Sequence, residues 1–395
     1  MCAVTRQARP IERSGPKKGA PAAPDLCFAV GWRQPTLHTL HYCWCEDTLS
    51  PMTNSPHVFS LHNLKPQVER PGGSRAAVNA SIFPMLRGLS LYRALLTPLG
   101  FREPHWHPNA NELSYCVRGE ALVTIFSNGS FHDTFAVRAG EMFFVPSGYL
   151  HHFENTGANE AEFIIAFSHE MPEDFGISGA VGCMSNNVLG NTFGLSGQAF
   201  DGLRKSPEDT VFGLRKQPAV VPFHARFPNQ HTFAVETMSP PIATSDGLAR
   251  TAKKAFWPIL EDISMFSLRI SDKGMREPHW HPRTAEMGYV LEGRARMTVL
   301  SPGARVDTYE LSPGDLYFIP RAYPHHIENI GTEEIRFLIF FDRGNTEDIG
   351  YTGGLRAYSN EVLGATFDCD PKFFEKLPPY SEDALIVGRR NPVEP

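Results

Sequence analysis

The sequence predicts an all-β protein made of two tandem copies of one sandwich or barrel domain, each copy with flanking helices. Three observations carry this. The two halves of the chain repeat one another at a constant offset. Short β-branched and aromatic runs recur through the middle of each copy. Finally, 33 glycines and 33 prolines among 395 residues punctuate those runs with turns.

Composition narrows the class. A hydrophobic share of 42% and a charged share of 20% are those of an ordinary globular protein, and each half is long enough to bury its own core. With 37 Lys and Arg against 43 Asp and Glu, the net charge of -6 and the lack of a basic block argue against nucleic-acid binding. No apolar run reaches the roughly 18 residues of a membrane-spanning helix. The seven cysteines are odd in number and irregularly spaced, which fits a reducing, cytoplasmic setting better than a disulfide framework. Residues 1–51, rich in Pro, Ala and Lys, lack periodicity and a secretory pattern, and read as a disordered extension. His41, Cys43 and Cys45 lie there without a well-spaced fourth metal ligand.

The repeat sets the domain organisation. Arg102–Gly119 (REPHWHPNANELSYCVRG) and Arg276–Gly293 (REPHWHPRTAEMGYVLEG) agree at ten of 18 positions, an offset of 276 − 102 = 174. Gly140–Gly157 and Gly314–Gly331 agree at nine of 18 positions at the same offset, which also relates His57-Val-Phe to His231-Thr-Phe. Copy one is therefore placed at 52–225 and copy two at 226–395. Runs such as Ala121–Phe126, Glu162–Phe167 and Arg296–Leu300, bounded by Ser127-Asn-Gly, Ser301-Pro-Gly and Ser312-Pro-Gly-Asp, predict strands and turns. Helical character is expected at Ser185–Phe193 and Ser359–Phe367, and around 200–216 and 373–390.

The chemistry-bearing residues repeat with the rest. Copy one carries His105-x-His107-x4-Glu112 and, far downstream, His151; copy two carries His279-x-His281-x4-Glu286 and His325. On a strand, residues i and i+2 share a face, so each His-x-His pair can present two imidazoles to one point, with Trp106 and Trp280 turned the other way as packing residues. A glutamate five residues on can return after a turn, and the late histidine can arrive from a neighbouring strand. Three imidazoles and one carboxylate without thiolate favour Mn, Fe, Ni or Zn, with coordination positions left open. A lone pair of this kind is weak, but here the pattern occurs twice at identical spacing. His152 and His326 adjoin the late histidines and face the opposite way, so packing or hydrogen bonding is their expected role.

These residues resemble the bicupins, and within them the oxalate decarboxylases. Gly100, His105, His107, Glu112 and Gly119, then Gly140, Pro146, Gly148, His151 and Asn155, follow the two cupin motifs. Copy two follows with Gly274, His279, His281, Glu286 and Gly293, then Gly314, Pro320, His325 and Asn329, departing at Ala322 where the motif has glycine. The resemblance implies two double-stranded β-helix (jelly-roll) barrels, one Mn(2+) in each with Fe as the alternative, dioxygen as a redox partner, a small carboxylate substrate and a homo-oligomer. It also implies that Arg102 and Arg276 engage the substrate carboxylate; strict alternation puts them on the wrong face, so a bend near Pro104 and Pro278 is required. The acid on the family's mobile loop falls at Asp174, with Glu173 adjacent, within a loop that departs from the family's sequence. Partial burial could raise the pKa of such an acid. The carboxylate expected in copy two of the bacterial enzymes is replaced by Ile339. Oxalate decarboxylation is thus the leading expectation, with an oxalate oxidase, an Fe-dependent dioxygenase or a non-catalytic bicupin as alternatives.

Overall fold

The computed structural model describes residues 55–379 and 383–393. The 1–51 extension, its His41, Cys43 and Cys45, and Met52 lie outside the described residues. Two barrels of like topology follow one another, each formed by two facing antiparallel sheets. In the first barrel, the strands Glu112–Arg118, Ala161–Phe167 and Met142–Val145 sit centrally in one sheet, and Gly100–Trp106, Leu150–Asn155 and Glu120–Phe126 form the heart of the other. The second barrel repeats this with Glu286–Glu292, Ile335–Phe341 and Asp315–Ile319 against Gly274–Trp280, His325–Asn329 and Ala295–Ser301.

Burial explains which runs became which strands. All seven residues of Ala161–Phe167 are buried, because this strand faces the barrel interior on one side and the other barrel on the opposite side. Its sequence, AEFIIAF, is accordingly apolar almost throughout rather than alternating. His132–Arg138 has a solvated face and alternates instead. Each barrel has an interior core, around Phe153 and Phe163 in one and Ile327 and Phe337 in the other. A third apolar core lies between the barrels, where Leu113, Tyr115 and Phe144 meet Met265, Met287 and Phe340.

The chain exchanges its leading strands. Val58–Ser60, which opens copy one, pairs with Asp315–Tyr317 of copy two. Thr232–Phe233, at the start of copy two, pairs with Met142–Phe143 of copy one. His57 and His231, the paired histidines of the repeat, fasten these crossovers through their ring Nδ1 atoms to the carbonyls of Phe318 and Phe144, each at 2.8 Å.

Helices occur where Ser185 and Ser359 cap them, at Asn186–Phe193 and Asn360–Phe367; each serine accepts a hydrogen bond from the backbone N–H three residues on. The expectation of helix around 200–216 and 373–390 needs correction. Among the described residues only 3-10 turns, Gly197–Phe200 and Pro371–Lys376, lie near there, and Phe212–Leu214 and Ile386–Gly388 are strands that join the sheet edge at Gly100–Arg102 and Gly274–Arg276. Three-residue strands are too short to leave a periodic trace in sequence, and burial of Phe212 and Ile386 decides them. Among the described residues, no helix is long and apolar enough to cross a membrane.

Candidate metal centres

Each barrel gathers one ligand quartet. His105 pairs directly with His151 across neighbouring strands, as His279 does with His325. His107 and His281 follow just beyond the ends of their strands, and Glu112 and Glu286 open the next strand, in the facing sheet. All eight residues are buried, and within each quartet the ligand atoms lie within 4.8 Å of one another.

Hydrogen bonds fix the imidazoles. The Nδ1 atoms of His105, His107 and His151 donate to the backbone carbonyls of Glu103, Glu173 and Tyr149 at 2.8, 2.8 and 2.9 Å. The second barrel does the same through Glu277, Glu347 and Tyr323. That tautomer leaves a bare Nε2 on every ring. Yet Glu112 Oε2 lies 3.2 Å from His107 Nε2 and 3.1 Å from His151 Nε2. Acceptors crowded on one point in a dry interior call for a cation between them, and the donor set fits a divalent ion that takes nitrogen and oxygen. Burial, then the Arg102 charge, pushes His105 well below its ordinary range, so it stays neutral as a ligand must. Burial alone would raise Glu112, but positive charge at His151 and His107 would outweigh it and hold the carboxyl well below the usual range; with those rings neutral, a bound cation has to supply that charge.

The two glutamates are steadied differently. Ser114 Oγ donates to Glu112 Oε1 at 2.8 Å, whereas Glu286 Oε1 accepts from the Tyr317 hydroxyl at 2.6 Å. Copy two has Gly288 at the serine's place, and copy one has Phe143 at the tyrosine's. A Cβ on Gly288 would lie 2.1 Å from the Tyr317 ring, so the tyrosine arrangement requires glycine.

Arg102 and Arg276 do turn inward. Phe153 pairs with Arg102 and His151 with His105, so one extra residue bulges at Glu103-Pro104 and resets the face; copy two bulges at the same place. The guanidiniums are buried. Arg102 Nη2 donates to both oxygens of Asp174 at 2.7 and 2.5 Å, and Arg276 Nη2 donates to Asp348 at 2.5 Å. Asp174 also accepts from Arg75 Nη1 at 2.8 Å. Burial favours the neutral acid at Asp174, but Arg102, His107 and Arg75 prevail and its pKa falls; the rise that burial alone would give is overturned by these partners. Glu173 is exposed, and only its backbone carbonyl reaches the site, through His107. Trp106 stacks on Phe175 at 5.4 Å, outside the quartet. His152 and His326 turn away from the ligands, with Nε2 3.9 and 3.4 Å from Glu154 and Glu328.

Residues without a motif hold the loop. Glu103 accepts from the backbone of Val211 and Ser178, and Asp209 from Gly176 and Gly179; Glu277 and Asp383 do the same in copy two. Arg75 is likewise a site residue with no local signal in sequence. Alignment of the copies could have marked it, since Ala249 stands at its place. With Asp174 in position, the first cavity is only about 20 Å³, on a measure by which one water needs roughly 10–15 Å³.

A profile of the family described as Cupin matches residues 59–200 and 237–374. The chain belongs to the cupin family. Among cupins, oxalate decarboxylase OxdC of Bacillus subtilis (strain 168) is 27% identical over 334 residues, 82% of this chain and 85% of that protein. A probable oxalate decarboxylase of Arthroderma benhamiae is 22% identical over 286 residues, 70% of each chain. The solved structure of the Bacillus subtilis oxalate decarboxylase at pH 4.6 superposes with a TM-score of 0.76 at 25% identity, over 86% of this chain and 89% of that one. This bicupin is therefore homologous to the oxalate decarboxylases along most of its length. Germin-like protein 1-2 of Oryza sativa subsp. japonica, 35% identical, aligns with only 38% of the chain.

Proposed function

We propose that the protein is a manganese-dependent carboxy-lyase that converts oxalate and a proton to formate and carbon dioxide. The observation that carries this reading is the pairing of buried Arg102 with a loop carboxylate, Asp174, beside a complete ligand quartet. The guanidinium is already matched to the group that a small dicarboxylate presents. One ion per barrel, manganese with iron as the alternative, would supply a Lewis-acid and one-electron centre working with dioxygen as a redox partner that is not consumed overall.

The chain's own residues do the rest. Arg102 takes the far carboxylate of oxalate through parallel hydrogen bonds, and Arg276 is its counterpart in the second barrel. Oxalate displaces Asp174, because a cavity of about 20 Å³ cannot hold both. Freed from the guanidiniums that depress its pKa, Asp174 takes up a proton and delivers it to the carbon left as carbon dioxide departs. The C–C bond breaks, a C–H bond forms, and no net electrons are gained or lost. Exposed Glu173 is assigned the exchange of that proton with water. Among the described residues the thiols of Cys116, Cys183 and Cys369 are free, which supports a reducing, cytoplasmic setting. Exposed Val188, Phe193, Val362 and Phe367 on the paired helices support association of several copies, which light scattering would measure.

The test is formate, peroxide and carbon dioxide measured from oxalate with manganese-loaded protein between about pH 4 and 7. Formate equal to carbon dioxide is expected. Peroxide in place of formate, with one dioxygen consumed per oxalate, would make the protein an oxalate oxidase; stoichiometric oxygen uptake without peroxide would make it a dioxygenase, and no turnover would remove the reading.

A further inference from the structure

The two sites differ by one charge. Their quartets match residue for residue, and Arg102 with Asp174 corresponds to Arg276 with Asp348. Glu103 and Glu277 lie equally beside them and cancel. The first cavity, however, is also lined by Arg75 and Tyr92, where the second has Ala249 and Phe266. Counting a divalent ion in each quartet and leaving the matched Glu103 and Glu277 out of both sums, the first site carries two net positive charges with its loop aspartate in place, and the second carries one.

Arg75 is built into the first site. Its guanidinium stacks 5.0 Å above the Tyr92 ring, Tyr92 packs on Phe167 at 4.6 Å, and Phe167 meets His107 edge-on at 4.7 Å. Its Nη1 shares the Asp174 carboxylate with Arg102, while its Nε–H is buried without a hydrogen-bond partner. A partly exposed cation whose own Nε–H is nonetheless buried and unpaired has a donor that Asp174 does not satisfy. A substrate carboxylate in place of Asp174 would meet two guanidiniums and that free donor.

We infer that Arg75 is a specificity-determining residue that makes the first barrel selective for a dianionic dicarboxylate, while the second, with Ala249, favours a monoanion. Oxalate that ligates through one end still offers Arg75 and Arg102 a full negative charge at the other. Acetate spends its only carboxylate at the ion and leaves Arg75 nothing to hold. The inference takes its choice of dicarboxylate from the proposed function, but it concerns binding rather than turnover.

The experiment is calorimetric titration of oxalate and of acetate into the full chain loaded with Mn(II), with dioxygen excluded. Arg75→Ala is compared with wild type and Arg75→Lys; alanine is what the same strand position already bears in the second barrel. In wild type, oxalate should show one tight and one weaker site. Arg75→Ala should weaken the tight site about ten- to hundredfold, the loss of a charge-assisted hydrogen bond, and leave acetate within about threefold. Arg75→Lys should recover part of the loss. An unchanged tight site, or equal losses for oxalate and acetate as a purely loop-anchoring arginine would give, overturns the inference. Selective oxalate binding without formate release refutes the proposed function and leaves Arg75's role standing. Formate release with Arg75-independent binding does the reverse, and no oxalate affinity in wild type sinks both.

Discussion

The contrast between the glutamate supports predicts a strong coupling between Gly288 and Tyr317. Gly288→Ser places a Cβ 2.1 Å from the Tyr317 ring. Overpacking of that kind costs about 1–3 kcal/mol. If the ring yields, its hydroxyl leaves Glu286 Oε1, now 2.6 Å away, and a charge-assisted bond of about 1.5–3 kcal/mol is lost as well. The single substitution should therefore cost about 2.5–6 kcal/mol. Tyr317→Phe alone should cost about 1.5–3 kcal/mol, because it strips the same carboxylate. The double variant rebuilds the copy-one arrangement, in which Ser114 Oγ reaches Glu112 at 2.8 Å and Phe143 packs opposite. Ile327, smaller than the corresponding Phe153, leaves the relocated ring room. The double change should then cost under about 1 kcal/mol, so the cycle should show a coupling of at least about 3 kcal/mol. Denaturation midpoints give the energies, and elemental analysis after dialysis against manganese gives the site occupancy. Two ions per chain are expected for wild type and the double variant, and fewer for each single variant. Additive single costs, or a double variant that retains no more metal than the singles, would refute the reasoning.

Other outcomes follow from the same geometry. His105→Ala and His279→Ala should each remove one ion per chain, and the pair both, in elemental analysis. Asp174→Asn should lower formate release about 10²–10⁴-fold as a lost general acid does, whereas Glu173→Gln at its exposed position should change it only a few-fold. Ala322 holds φ 61°, where the equivalent Gly148 has φ 78°. A left-handed alanine costs about 1–2 kcal/mol and glycine's extra freedom returns about 0.5–1, so Ala322→Gly should stabilise by about 0.5–1 kcal/mol in a urea titration. Burial pushes the Cys116 thiol up to about 12, so alkylation mapped by mass spectrometry at about pH 8 should mark exposed Cys183 and Cys369 and spare Cys116 until the protein unfolds.

The ligand quartets were legible because strand alternation acts over two residues and the pattern occurs twice at one offset. The inward turn of Arg102 was legible as a need for a bend, and the bulge at Glu103-Pro104 meets that need. The loop acid was less so: alternation cannot rank Glu173 against Asp174 where no strand constrains the chain, and the two guanidiniums that draw Asp174 inward come from distant strands. Arg75, the Tyr317 support and the Asp209 and Asp383 anchors act across separations that leave no local periodicity, whereas Ser114 shares a strand face with Glu112 two residues away but is an ordinary strand residue by type. Position-by-position comparison of the copies, at 75 against 249 and 114 against 288, held the signal for two of them. The short strands Phe212–Leu214 and Ile386–Gly388 were lost to a helical reading because only their edge pairing makes them strands.

The reciprocal loan of leading strands joins the fates of the barrels. Cutting the polypeptide near residue 226 would leave each half deprived of a border strand that the other still owns, with the apolar wall between them laid open to water. Neither half should survive well by itself, and mixed together they should rejoin. An ion that tightens one barrel therefore also guards its neighbour against melting, a mutual insurance that two independently folded modules on a string would lack.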